Sequence, residues 1–244
     1  MPVWNPWHGC KKISPGCYHC YVYQRDAEFG KNSSIIKKTA NFDLPLKRSR
    51  KKEYKLLPSD EPVYICMSSD FFIEEADTWR PDAWQMIQRR PDLRFFIITK
   101  RIERFYRCVP EDWGEGYENV TVCCCCENQS RADYRIPLLL NAPARHKCVI
   151  HEPMLEEIHI EKYLASGQIE QVICGGEFGD GARVCNFGWI LSMMEQCVQY
   201  DVTFRFRQTG TLFQKGGRIF RIEEREEQIR QAEKSNVNYD PHRT

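Results

Sequence analysis

The chain of 244 residues lacks any apolar run near the roughly 20 residues that a membrane helix requires, and no secretory signal pattern opens it. It also lacks an excess of charge of one sign, because 35 Lys and Arg face 34 Asp and Glu and give a formal net charge of +1. Low-complexity tracts are missing too. These absences argue against a membrane protein and a disordered chain, and any binding of nucleic acid must come from a local patch. We expect a cytoplasmic protein with no membrane partner.

Cysteine is the residue in excess, with 13 in the chain. The number is odd, and the chain is far longer than the small secreted folds that depend on disulfides. In a reducing compartment such thiols pack as small apolar residues, hold metal or act in catalysis. In the run Cys123 to Cys126, alternate side chains of a strand face opposite sides, so the four thiols cannot converge on one metal. We expect core packing there.

From residue 60 onward, apolar strand-like runs alternate with helical patterns. Nearly continuous apolar runs are typical of parallel strands that are buried on both faces. The predicted strands are 63–67, 95–99, 120–124, 147–150, 171–174 and 202–206, and the predicted helices are 82–90, 102–107, 130–140, 155–165, 189–200 and 222–235. An open doubly wound sheet and a barrel both fit this alternation.

Polar residues follow each predicted strand, and this favours the barrel because the βα loops of a TIM-like barrel converge on one mouth. They are Ser68 to Asp70, Lys100-Arg101, Glu127-Asn128, His151-Glu152, Gly175 to Glu177, and Gln208. Each of them could instead be an ordinary turn or helix-capping residue. With a seventh strand from the N-terminal segment, we predict an α/β fold: a partial or near-complete TIM-like (β/α) barrel over residues 1–221, with the cysteine loop at its N-terminus. Residues 222–244 are predicted to form a charged C-terminal helix and tail. Of the run Cys123 to Cys126, only Cys126 is expected near the mouth.

Three cysteines near the N-terminus, Cys10, Cys17 and Cys20, are spaced C-x6-C-x2-C among turn residues. Turn residues let a loop fold so that three thiolates point inward, and the x2 step is common in zinc and iron–sulfur sites. A structural zinc ion would need His8 or His19 as its fourth ligand. A four-iron cluster would instead leave one iron open. A cysteine-rich loop without metal is the third alternative.

The opening Trp-Asn-Pro-x-x-Gly-Cys-x6-Cys-x2-Cys-Tyr resembles the phage Gp37/Gp68 family, and so do Ser69-Asp-Phe-Phe72, Ile98-Thr-Lys-Arg101, His151-Glu-Pro-Met-Leu155 and Phe206-Arg-Gln-Thr-Gly210. The resemblance spans about residues 3 to 211. It implies a radical-SAM-like enzyme, in which three cysteines hold a [4Fe-4S] cluster whose open iron binds S-adenosylmethionine. An electron then cleaves that cofactor to a radical that abstracts hydrogen from a substrate. The first gap of six residues departs from the usual C-x3-C-x2-C, and Gly-Gly-Glu follows a late strand instead of the second.

The resemblance also implies roles for residues at the predicted mouth. Cys10, Cys17 and Cys20 would be the metal ligands. The residues assigned to S-adenosylmethionine are Ser69, Asp70, Glu127, Asn128, Gly175, Gly176 and Glu177, and those assigned to the substrate are Lys100, Arg101 and Glu152. Glu127 is expected to bind ribose hydroxyls, as the end of the fourth strand does in radical-SAM barrels. Either Ser68 to Asp70 or Gly175 to Glu177 would hold the amino group, and an electron donor is an implied partner.

The segment from Leu46 to Lys55 is strongly basic, with Lys47, Arg48, Arg50, Lys51, Lys52 and Lys55. It is either a solvated loop or a patch that contacts phosphates. One hypothesis places a nucleic acid or nucleotide over the barrel mouth with this segment as its rim. Three functions therefore stay open: a radical enzyme that uses a [4Fe-4S] cluster and S-adenosylmethionine, a zinc-stabilised non-catalytic module that binds nucleic acid, and a barrel enzyme of unrelated chemistry.

Overall fold

The computed structural model describes residues 2–242 and contains seven parallel strands in one sheet. The strands are β1 (Val3–Trp4), β2 (Trp7–His8), β3 (Lys37–Lys38), β4 (Val63–Ile65), β5 (Phe95–Thr99), β6 (Val120–Cys125), β7 (His146–His151), β8 (Gln171–Gly175), β9 (Cys185–Asn186), β10 (Thr203–Gln208), β11 (Leu212–Lys215) and β12 (Arg218–Arg221). The helices are α1 (Tyr21–Glu28), α2 (Arg80–Gln88), α3 (Phe105–Cys108), α4 (Gln129–Asn141), α5 (Glu161–Leu164), α6 (Phe187–Gln199) and α7 (Arg225–Lys234). Short 3-10 helices cover Pro15–Cys17, Leu44–Leu46, Glu74–Ala76 and Ile102–Arg104.

The strand order distinguishes between the two predicted architectures. The large sheet runs β1-β4-β5-β6-β7-β8-β10, so each later strand adds on the same side as the one before it. A doubly wound sheet would reverse its order at a switch point, and this one does not. All six pairings are parallel, and the sheet is curled into a half-barrel flanked by helices. The prediction of a partial βα barrel with one N-terminal strand agrees with this architecture.

The six predicted strands are confirmed to within two residues at each end. Most helices are also close, including α4, α6 and α7, but the prediction for residues 155–165 is wrong. Only Glu161–Leu164 is helical there. The backbone N–H groups of Met154 and Leu155 donate to carbonyls of Gly175 and Glu127, at 2.8 and 2.9 Å. The chain that leaves β7 is therefore bound to the ends of both strands that flank β7, β8 and β6, before the helix begins.

The sheet separates the apolar core into two parts. The larger part packs under the helices, and the smaller one lies on the other face, which leads toward the candidate site. Cys123 and Cys125 belong to the smaller cluster, whereas Cys124 and Cys126 belong to the larger one. The predicted alternation is thus correct. The expectation that Cys126 lies nearest the mouth is wrong, because Cys125 lines the cavity described below and Cys126 is fully buried among the helices.

The C-terminal segment closes one edge of the sheet. Helix α7 packs on β10, with Gln228 and Ala232 buried. Beyond the helix, Tyr239 exchanges two backbone hydrogen bonds with Phe204 of β10, at 2.8 and 3.0 Å. An uncovered edge strand would present unpaired backbone groups to other chains. Between these elements, β9, β11 and β12 form a separate small sheet. Within residues 2–242, no helix has both the length and the apolarity needed to cross a membrane.

Candidate functional site

The three N-terminal cysteines lie at the carboxyl end of the half-barrel. Their segment follows β1 and β2, and the Gly9 N–H donates to the carbonyl of Ser68, which comes after β4 (3.1 Å). Cys10, Cys17 and Cys20 are each half-buried with free thiols, and all three line one cavity. Burial, reinforced by the charge of Asp70, raises the pKa of Cys10 to about 12. The segment thus delivers three thiols to a single space.

Arg101 connects the end of β5 to the cysteine segment. Its guanidinium donates to Asp70 Oδ2 at 3.1 Å, to the Lys11 carbonyl at 2.9 Å and to Cys10 Sγ at 3.9 Å. Asp70 also accepts from the Lys100 N–H (2.9 Å) and the Thr99 hydroxyl (2.7 Å). Arg101 and Asp70 are both buried, so this pair is a fixed part of the site and not a flexible surface contact.

Glu127, just after β6, holds the middle of the cysteine segment. One carboxylate oxygen accepts from the Gly16 N–H at 3.1 Å, and the other accepts from Arg135 of α4 at 2.8 Å. Burial would raise the pKa of Glu127, but the charges of Lys100 and Arg135 and a hydrogen bond from Ser14 hold it down at about 2. Strand β6 is the fourth strand of the sheet, as expected. Its acid faces the cysteine segment, however, and is not part of the cavity lining.

Glu177, just after β8, makes the third such connection. Its carboxylate pairs with Arg183 through the backbone N–H (3.0 Å), through Nε (2.7 Å) and through Nη2. The same Nη2 donates to the carbonyl of Pro15 at 2.9 Å. Acids from three strand ends therefore fix the cysteine segment at Cys10–Lys11, at Gly16 and at Pro15. We call these contacts the three clamps.

Of the other residues predicted at the mouth, some line the cavity and others have structural roles outside it. Ser69 and Glu152 line the cavity, and Glu152 accepts from Gln208 Nε2 at 2.9 Å. Asn128 caps α4 by accepting from the Arg131 N–H at 3.0 Å, so its side chain has a structural partner. Gly175 lies against the Glu152 side chain and is not among the cavity residues.

Gly176 has a structural reason to be glycine. A Cβ built on it would lie 2.2 Å from the Thr209 carbonyl oxygen and 2.7 Å from the Gly210 Cα. Close approach of the chain after β10 therefore requires glycine here independently of any ligand, and the expected approach of a ligand to this backbone stays a prediction. The residue still lines the cavity through its backbone.

The cavity itself encloses about 1100 Å³ of empty space, including its open mouth. Lys100 lies in its wall, half-buried. Burial alone would lower the pKa of Lys100, but the charges of Cys125, Cys17 and Glu127 raise it above its ordinary value. Lys100 and Arg101 are adjacent and are both predicted to bind the substrate, but they have different roles in the structure. Arg101 holds the cysteine segment, and Lys100 gives the cavity a positive charge.

The basic segment does not form a rim around this cavity. The carbonyls of Pro45 and Leu56, at its two ends, accept from Arg90 at 2.5 and 2.8 Å. Helix α2 begins near the cavity end of the sheet and runs toward the opposite end, and Arg90 follows its last turn. None of residues 46–55 lines the cavity. The predicted placement over the mouth is wrong because this loop is held at the opposite end of the sheet.

A model of the family described as "Protein of unknown function (DUF5131)" matches residues 2–239. The chain belongs to this family. No curated protein and no solved structure matches it. The family description names no activity, so the chemistry of the site is the basis for a function of this DUF5131 chain.

Sequence reasoning missed the arginines that complete the clamps in this DUF5131 chain. Arg135 lies on the same face of α4 as the buried residues Ala132, Ile136 and Leu139. A charged residue on the apolar face of a predicted helix indicates that it has a buried partner of opposite charge, and this signal is present in the sequence. No comparable signal marked Arg183, which lies in an irregular loop far along the chain from its target at Pro15.

Proposed function

We propose that the chain is a radical-SAM-like iron–sulfur enzyme, as its resemblance to the phage Gp37/Gp68 family implies. Cys10, Cys17 and Cys20 would hold a [4Fe-4S] cluster, and the cavity would take S-adenosylmethionine and a substrate. The observation that carries the proposal is that three thiols line one cavity at the carboxyl end of a half-barrel. When bound, such a cluster supplies the electron that cleaves S-adenosylmethionine and so starts hydrogen abstraction.

We favour a cluster over a single zinc ion as the group that the three thiols would hold. Among residues 2–242, no group of three or more His, Cys, Asp or Glu side chains is placed to hold one metal ion. Tetrahedral zinc with bonds of about 2.3 Å requires sulfurs about 3.8 Å apart. A cubane cluster binds each thiolate through a different iron and so accepts a wider spacing. His8, one candidate fourth zinc ligand, is already paired with Asp26 at 2.7 Å.

The three clamps give the cysteine segment its order before any cofactor binds. Because Arg101, Glu127 and Arg183 fix the loop at Cys10–Lys11, at Gly16 and at Pro15, the thiols are held in place by buried ion pairs and hydrogen bonds. Such second contacts orient metal ligands and tune their metal. Arg101 has an additional role, since it donates directly to Cys10 Sγ. Hydrogen bonds to the ligand sulfurs are among the factors that set the reduction potential of a cluster.

The wall around Ser69, Gly176 and Glu177 is where we place S-adenosylmethionine, because these assigned residues line the cavity with Cys20. Glu127 is assigned instead to the clamps, since its two oxygens already accept from Gly16 and Arg135. Glu152, beside Gln208, is placed toward the substrate. Tyr21, the residue after Cys20, lines the same cavity and donates through its hydroxyl to the Met67 carbonyl.

Anaerobic reconstitution with iron and sulfide tests the proposal. A brown protein with about four iron and four sulfide per chain supports it, since that is the content of one cubane. Incubation with S-adenosylmethionine and a reductant should then release 5′-deoxyadenosine. A colourless protein with one tightly bound zinc would support the zinc-stabilised nucleic-acid-binding module instead. Retention of neither metal would leave a barrel enzyme of unrelated chemistry.

A pair of matched variants assigns the ligands. Cys17→Ala should lose the iron while the chain stays folded, because the apolar core lies elsewhere. Cys124→Ala is the control: its thiol is fully buried in the larger core, 3.7 Å from Cys126 Sγ, and its loss should leave the iron content unchanged. Full iron in Cys17→Ala would refute the ligand assignment.

A further inference from the structure

The charged residues that line the cavity do not balance. Its wall includes three carboxylates, and each has a cationic partner: Asp70 pairs with Arg101 at 3.1 Å, Glu152 with Arg207 at 3.6 Å, and Glu177 with Arg183. Two further cations, Lys100 and Arg225, line the same cavity. The cavity therefore presents positive charge that its own acids do not neutralise.

Lys100 comes directly after β5, and its backbone N–H is used by Asp70. Its ammonium group has no hydrogen-bond acceptor and no ion pair among residues 2–242. The charge of Glu127 acts on it from outside the cavity wall, but that carboxylate already accepts from Gly16 and Arg135. The side chain is half-buried, so water replaces such a partner only in part. A cation withdrawn from water without a partner is costly, which makes the position favourable for an anion.

Arg225 opens α7, in the segment that the sequence sets apart as a charged tail. It is half-buried, and its guanidinium lies 5.7 Å from the ring centre of Phe178, another residue of the cavity wall. Over residues 2–242 it too has no hydrogen bond or ion pair. Its N–H groups donate to no acceptor among these residues, so they can bind a ligand. That planar fork matches a phosphate or a carboxylate with two parallel hydrogen bonds.

We propose that Lys100 and Arg225 bind the anionic group, a phosphate or a carboxylate, of a ligand that enters this cavity. The proposal extends the function beyond the cysteines, and it makes α7 part of the site. It depends on the charge of the cavity and not on the cluster, so it can be tested without loading the protein with iron.

Titration calorimetry on the full-length chain at constant ionic strength tests the proposal, with inorganic pyrophosphate and succinate as probes. Binding of pyrophosphate alone identifies a phosphate site, and binding of succinate alone identifies a carboxylate site. Lys100→Met and Arg225→Gln should each weaken that binding at least about tenfold, since a hydrogen bond to a charged group contributes roughly 1.5–3 kcal/mol and 1.4 kcal/mol is a factor of ten. Lys51→Met and Arg218→Gln remove exposed cations outside the cavity and should bind like the parent.

Two results would overturn the proposal. The first is a parent chain that binds neither probe up to millimolar concentration. The second is binding by Arg225→Gln or Lys100→Met that equals the binding of the two control variants, with thermal unfolding showing that all four are folded. If the parent chain binds an anion but the reconstituted protein forms no 5′-deoxyadenosine, the proposed radical chemistry would be overturned and this anion site would stand. The two failures can therefore be told apart.

Discussion

Glu127 illustrates how a single buried carboxylate organises the site. The side chain is 1% exposed, and it joins three elements: its own position after β6, Gly16 of the cysteine segment, and Arg135 of α4. Its pKa of about 2 reflects the surrounding cations and hydrogen bonds, which overcome the effect of burial. A carboxylate in this setting is ionised at neutral pH. It acts as a structural anion between two parts of the chain.

Glu127→Ala should therefore destabilise the fold by about 3–5 kcal/mol, the cost of leaving one partner of a buried ion pair without the other. The unpaired partner is Arg135, whose side chain is 2% exposed. Urea unfolding followed by tryptophan fluorescence measures the change. Glu118→Ala is the matched control, because its ion pair with Arg145 lies at the surface, with the two side chains 75% and 48% exposed, and little loss is expected. Equal losses in the two variants would show that Glu127 does not hold the loop.

His151 gives the fold a defined response to acid. It is fully buried at the end of β7, with Nδ1 2.6 Å from the Cys126 carbonyl and Nε2 without a partner among residues 2–242. Burial lowers its pKa from 6.5 to about 4. The unfolded chain therefore binds a proton more readily than the folded chain between these two values, and stability falls as the pH drops from about 6.5 toward 4.

This shift corresponds to a loss of about 3 kcal/mol between pH 7 and pH 4, at roughly 1.4 kcal/mol per pKa unit. His151→Asn keeps a donor for the Cys126 carbonyl and removes the titration. Unfolding midpoints in urea at several pH values should show a shallower acid slope for this variant than for the parent. Parallel slopes would place the acid sensitivity on other groups.

At the scale of elements, local sequence patterns are sufficient to predict the strands but not the contacts that form the three clamps. Apolar runs ended by polar residues identify β4 to β8 because each signal lies within a few neighbouring residues. The contact of Arg183 with Pro15 joins positions 168 residues apart, and no local pattern records it. The region of the site was therefore predictable from the strand ends. The roles of Glu127 and Asn128 were not, because only the folded chain shows which partner each polar side chain meets.

Gly176, just after β8, lies in close contact with the chain that follows β10, so a substitution there tests how these two strand ends pack. Gly176→Ala should cost about 3 kcal/mol or more, at the upper end of overpacking, because the Cβ meets the Thr209 carbonyl and the backbone cannot move aside easily. Gly167→Ala is the control: it has φ +66° and open space around its Cβ, so only a backbone cost of about 1–2 kcal/mol applies. Denaturant midpoints measure both. A smaller loss for Gly176→Ala than for Gly167→Ala would mean that the close approach is not maintained.

At the scale of the whole molecule, a half-barrel has two free edges that a closed barrel lacks. One edge is β10, and residues 225–240 cover it through α7 and the backbone bonds between Phe204 and Tyr239. The same segment supplies Arg225 to the cavity wall. Composition sets residues 222–244 apart as a charged tail, since it records charge and not packing. In the folded chain, the segment completes both the sheet and the site.

A chain that ends at Arg221 should therefore be less stable than the parent chain. Its β10 edge would be exposed, and the surfaces that bury Gln228 (0% exposed) and Ala232 (1% exposed) would meet water. We expect this shortened chain to elute as aggregates in size-exclusion chromatography and to unfold at a lower temperature, because an uncovered edge strand pairs with other chains. A chain that ends at Asp240 keeps α7, the Tyr239 pairing and the ion pair between Arg205 and Asp240 (2.9 Å), so it should behave like the parent. If the chain ending at Arg221 were monomeric with an unchanged unfolding temperature, residues 222–244 would be a separate tail that does not stabilise the half-barrel.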